Sequence, residues 1–261
     1  MDPAFDVREF AQTARGSLRE EVDLASFAEH PLPSAMRRLL AILAALEGAT
    51  MAQLRDVLVT ATHKDARITA FLVSWAYEKF WIADVLSALA GAGGESPIAV
   101  PLTERRRAAG PVRRSLAGFL EGESVIGVHM LDGAIDDRML TAAYERMGAR
   151  TDRRELVDAL SLIVTMKQRH TAFFSEEAER RLRTDARARR LARRELLARD
   201  WPLGIERLDD VDRAAFNGLL RSGGGAAEEV VHFVRGLDII DADDAVALRR
   251  RLERAARNGE R

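Results

Sequence analysis

Four segments of this chain place apolar residues three and four positions apart, the spacing that lines one face of an α-helix. From Ser34 to about Thr62 the stripe is Leu40, Leu43, Glu47, Met51, Leu54 and Leu58. From about Ile68 to Leu89 it is Leu72, Trp75, Lys79, Ile82, Leu86 and Leu89. From Ser124 to Met147 it is Ile126, Met130, Gly133, Asp137, Leu140 and Tyr144, and from about 153 to 183 or beyond it is Leu156, Leu160, Ile163, Lys167, His170 and Phe174. Strand signals are nearly absent, so the expected class is all-α. The polar turn "THKDAR" joins the first two segments, and "GARTD", with Thr151 or Asp152 as the cap candidate, joins the last two. Between the pairs, "AGAGGESPIAVP" breaks the helix and opens a connection over 90–123, with room for a short helix at 103–120. Two antiparallel helical hairpins with one long crossover make a four-helix bundle.

The expected organisation is an N-terminal extension (1–34), a bundle (35–200) and a C-terminal helical tail packing on the bundle (201–261), with a glycine hinge in "SGGGAAEE" at 222–229. Apolar residues make up 47% of the 261, enough for a sizeable core. The net charge of −1 gives no overall pull toward nucleic acid or a membrane surface. The absence of cysteine excludes disulfides, thiolate metal sites and a cysteine nucleophile. The acidic start "MDPAFDVREF" does not resemble a signal peptide, and charge interrupts every apolar stretch, so a cytoplasmic location is expected. The nine arginines between Arg180 and Arg199 alternate with acidic residues and read as a solvated face.

The stripes contain charge where a core is expected. Of 40 basic residues only three are lysines, Lys64, Lys79 and Lys167, and two of these stand inside apolar stripes. The arginine and alanine richness suits a GC-rich bacterial genome, in which lysine is the unusual choice of cation. In an antiparallel hairpin, equal distance from the turn means equal depth. Glu47 and Lys79 each lie 16 residues from position 63, and Asp137 and Lys167 each lie 15 from position 152. These four should meet near mid-bundle, with His170 one turn away. Glu78, beside Lys79, is a further candidate for the interior.

The residues "WAYEKFWIADVL" (75–86) and "TMKQRHTAFF" (165–174) resemble the second- and fourth-helix motifs of the ferritin-like diiron family, in particular its acyl-carrier-protein desaturase-like branch. Those motifs read W-x-x-E-E-x-x-H-G-x-x-L and D-E-x-R-H-x-x-F. Trp75, Glu78, Arg169, His170 and Phe173 fall in place, as does "RHTAFFSEEAERRL", and the likeness covers roughly 35–200. The resemblance implies a ferritin-like bundle with former metal-site positions at Glu47, Lys79, Ile82, Asp137, Lys167 and His170. Gly133 is the alternative register for the third-helix carboxylate. Lysine replaces the family glutamates at 79 and 167, and isoleucine replaces the histidine at 82. Iron needs carboxylates and imidazoles, so these changes imply a metal-free pseudoenzyme without cofactor. Such a protein would bind a small apolar ligand or support a partner: a second copy or a ferritin-like homologue. Two alternatives remain open. One is an oxidoreductase or oxygenase with an altered iron site. The other is a cofactor-independent enzyme using Lys79, Lys167 and His170 as acid–base or Schiff-base groups.

Overall fold

A computed structural model of the protein describes residues 4–94, 98–103, 122–222 and 225–255. Every regular element among them is helical. In chain order the α-helices are α1 (Val7–Gln12), α2 (Leu24–Glu29), α3 (Ser34–Gly48), α4 (Thr50–Leu58), α5 (Ala66–Gly91), α6 (Ser124–Gly148), α7 (Arg154–Thr184), α8 (Ala186–Ala198), α9 (Asp210–Arg221), α10 (Ala226–Gly236) and α11 (Ala242–Ala255).

Two long pairs dominate. Helix α3 packs on α5, with Arg37 reaching the Ala90 carbonyl while Glu47 reaches Lys79, so the two run in opposite directions. Helix α6 packs on α7. Here Gly148 meets Leu160, Asp137 meets Lys167, Gly133 meets Phe174 and Gly127 meets Leu182, again an antiparallel order. The contact at Gly133 is tight. A Cβ there would lie 2.4 Å from the Phe174 ring, so this position has room only for hydrogen.

The stripes of α5, α6 and α7 are buried along their whole length. The first stripe is broken. Ala49 ends α3, and α4 starts on a new register, so Leu54 is buried while Met51 is 56% exposed. The expected single helix to Thr62 is therefore two helices plus a 3-10 turn over Ala61–Lys64. The side chain of Asp65 caps α5 by accepting from the Ile68 amide. Helix α7 starts one residue after the expected caps: Arg153 is the N-cap residue, and its amide donates to the Thr151 hydroxyl oxygen. Helix α10 already begins at Ala226, so the second half of the expected 222–229 hinge is helical; Gly223 and Gly224 lie outside the described residues. The expected short helix at 103–120 also lies outside them, apart from Thr103.

The N-terminal residues join the core directly. Phe5 and Phe10 pack against Phe71, and Phe71 stacks on Phe173 at 3.7 Å between ring centroids. At the arginine-rich end of α7 and in α8, ion pairs run to Glu177, Asp65, Glu179, Asp244 and Asp132. Among the described residues no helix is long and apolar enough to cross a membrane.

Candidate functional site

Each long helix sends charge to one place in the interior. Helix α3 supplies Glu47, α5 supplies Glu78 and Lys79, α6 supplies Asp136, Asp137 and Tyr144, and α7 supplies Lys167 and His170. None of these side chains is more than 3% exposed. Glu47 holds both cations. Its Oε2 lies 3.0 Å from Lys79 Nζ and its Oε1 3.0 Å from Lys167 Nζ. Lys79 also reaches Asp136 Oδ2 at 3.1 Å and Asp137 Oδ1 at 3.9 Å, and Lys167 donates to Asp137 Oδ1. Tyr144 Oη donates to Glu47 Oε1 at 2.8 Å.

His170 extends the cluster. Its Nε2 lies 2.6 Å from Glu78 Oε2, while its Nδ1 faces Asp137 Oδ2 at 3.7 Å, too far for a hydrogen bond. Neither Nδ1 nor that Oδ2 has a hydrogen-bond partner. Both ring nitrogens thus face carboxylate oxygens.

The electrostatics follow from burial against pairing. Burial pushes the Glu47 carboxyl up, but the Lys167 and Lys79 ammoniums and the Tyr144 hydroxyl outweigh it and hold the group at about 2. Burial pulls Lys79 down; Glu47, Asp136 and Asp137 outweigh it and hold the ammonium above the ordinary lysine range. Asp136 moves upward, because burial and the neighbouring Asp137 and Glu47 carboxylates exceed the pull of the two lysines. Three carboxylates face two ammoniums here, and the upward shift at Asp136 trims the excess negative charge.

The sequence-derived set is therefore brought together: Glu47, Lys79, Asp137, Lys167 and His170 share one cluster. Ile82, one turn on from Glu78, is fully buried among apolar neighbours. Gly133 stands a turn away beneath the Phe174 ring, which leaves a larger side chain no room there. Sequence reasoning missed Asp136, which lies off the stripe. It also missed two backbone donors from the chain's outer segments: the Leu203 amide to Asp136 Oδ1 and the Arg15 amide to Glu78 Oε1, both 2.8 Å. No local motif marks either donor. His129 lies elsewhere, with Nδ1 2.8 Å from the Thr62 hydroxyl. Burial and then the Arg199 charge lower its pKa to about 4.

The residues present do not fit a metal ion. An ammonium has no lone pair to give, and the two lysines already hold both Glu47 oxygens, Asp136 Oδ2 and Asp137 Oδ1. Among the described residues no three His, Asp or Glu side chains are placed to hold one. Beside the cluster, a narrow cleft with room for about one water molecule lies between Leu54 and Val57 of α4 and Leu72, Trp75, Met130 and Phe174. Trp75 is shared: it lines the cleft, and Lys79 Nζ sits 4.9 Å from its ring centroid.

No protein-family model, no curated protein and no solved structure matches this chain.

Proposed function

We propose that this chain is a ferritin-like four-helix bundle whose metal-site positions have been converted into a metal-free charge cluster, and that it works as a pseudoenzyme. Its role would be to support a partner protein or to take a small apolar ligand. One observation carries the reading: Glu47 bridges two ammonium nitrogens, one on each carboxylate oxygen, and these belong to Lys79 and Lys167, the two positions where the resembled family has glutamate. Lys79, Ile82 and Lys167 take three ligand positions, and Asp137 and His170 remain beside them.

The enzymatic alternatives have less support. An iron oxygenase needs free carboxylate and imidazole lone pairs, and here they face lysines or each other. A Schiff-base lysine must shed its proton near neutral pH. Lys79 is held the other way, charged and locked between carboxylates.

Metal content tests the reading. Protein purified after growth in iron-rich medium should contain far less than one iron per chain by elemental analysis. Two tightly held irons per chain would overturn the proposal and require a different set of ligands.

A further inference from the structure

The Glu78–His170 edge of the cluster is covered by residues 5–15. The Phe10 ring stands edge-on to the His170 imidazole at 5.8 Å and stacks on Phe71 at 5.0 Å. Five residues on, the Arg15 amide donates to Glu78 Oε1 at 2.8 Å. Beneath this cover Glu78 and His170 are fully buried. The cover itself is thin. Between positions 4 and 17 only Phe10 is buried. Helix α1 has six residues, too few to hold its shape without tertiary contacts, and residues 14–18 have no regular structure. The chain is next fixed at Leu18, which is buried, and at Arg19, which pairs with Asp84 at 2.6 Å. A segment with so few buried contacts opens locally, ahead of the core it lies on.

Arg169 of α7 holds the segment down. Its guanidinium lies 4.7 Å from the Phe10 ring centroid. Its Nη2 donates to the Thr13 hydroxyl at 2.6 Å, and the group reaches the Phe10 and Thr13 carbonyls at 3.5 Å. At the far end the Phe5 amide donates to Glu176, and Arg67 donates to the Phe5 carbonyl. Arg169 also faces the cluster: its Nη1 lies 3.7 Å from Glu78 Oε1, the oxygen that accepts from the Arg15 amide. Lifting the segment takes that amide away and frees Arg169 from Thr13 beside the same oxygen. The Glu78 carboxylate exchanges one donor for another and is not left bare, which lowers the cost of opening.

We infer that residues 5–15 are a displaceable strap with Arg169 as its latch, and that solvent reaches the Glu78–His170 pair by lifting this strap while the bundle stays folded. The inference is independent of the proposed function. Native-state hydrogen exchange of the full chain, in urea below the unfolding transition, tests it first. The hydrogen-bonded amides of Phe10, Thr13 and Arg15 should exchange faster than the buried stretches of α5 and α7, and with little urea dependence. Carbethoxylation by diethyl pyrocarbonate, followed peptide by peptide, reads His170 itself. It should label far more slowly than the exposed His30. Thr13→Ala removes one charge-assisted hydrogen bond from the latch and should speed His170 labelling by roughly tenfold. Phe10→Ala should speed it further. His129, on α6 against Thr62, should keep its rate in both variants, which separates strap opening from a general loss of stability. Strap amides that exchange only with the bundle and share its urea dependence would overturn the inference. So would a His170 rate that neither substitution changes, or a wild-type His170 that labels as fast as His30.

Discussion

Lys167 Nζ lies 3.0 Å from Glu47 Oε1, and both side chains are fully buried. Neither charge can turn to water if the other is removed. Lys167→Met keeps much of the volume and deletes the cation, leaving Glu47 and Asp137 short of a partner. Breaking one side of a buried pair costs roughly 3–5 kcal/mol. Urea unfolding should show a loss on that scale, a large share of a typical domain's stability.

Tyr144→Phe removes a hydroxyl donor on Glu47 while leaving both lysines in place. Hydrogen bonds to charged groups contribute about 1.5–3 kcal/mol. This variant should be destabilised by that amount, and less than Lys167→Met. The same urea titration ranks the two.

Gly133→Ala should be destabilising although alanine is the better helix former. The added Cβ would sit 2.4 Å from the buried Phe174 ring. Overpacking of this kind costs about 1–3 kcal/mol. Phe174→Leu in the same chain should return part of that loss, so the double variant should melt higher than the sum of the single changes implies.

Stability should fall on acidification in two stages. His129 is held at about 4 against an ordinary 6.5, and Glu47 at about 2 against 4.5. In both cases the folded pKa lies below the unfolded one, so the unfolded chain binds more protons between the two values. The stabilisation is present above the unfolded pKa and is lost as pH falls toward the folded pKa. Asp136, with its folded pKa raised, works in the opposite sense over its own range. Denaturant midpoints from pH 7 down to pH 4.5, taken for the wild type and for His129→Gln, separate the histidine stage from the others. His129→Gln should flatten that decline by on the order of 1–3 kcal/mol, and an unchanged slope would remove His129 as its cause.

Much of this arrangement was legible in the sequence. Helix spacing and equal distance from each turn placed Glu47 level with Lys79 and Asp137 level with Lys167, and the ion pairs fall there. The stripes set the extents of α5, α6 and α7 to within a few residues. The break at Ala49 was not legible. Gly48 is its only local signal, and the apolar spacing runs on through it, so Met51 was assigned to a face it does not share. Asp136 escaped notice because α6 is buried on nearly every side, including Asp132, Asp136 and Asp137, so one apolar stripe does not describe it. The inward turn of Glu78 has the same origin: α5 is covered by α3 on one side and by α1 and the N-terminal segment on another. The amides of Arg15 and Leu203 reach the cluster through tertiary packing alone, which leaves no periodic trace.

The central claim is that Lys79 and Lys167 neutralise, in place of metal ions, carboxylates that would otherwise bind them. The most direct measurement is thermal unfolding, with and without ferrous iron under anaerobic conditions, of the wild type and of the triple variant Lys79→Glu, Ile82→His, Lys167→Glu. The exchange removes two cations from the cluster and adds two carboxylates and an imidazole, the donor types that iron takes. The account predicts that iron leaves the wild-type melting temperature unchanged and raises that of the triple variant, since binding to the folded state alone stabilises it. A triple variant that folds and melts at the same temperature with and without iron, together with a Lys167→Met protein that melts like the wild type, would contradict the account.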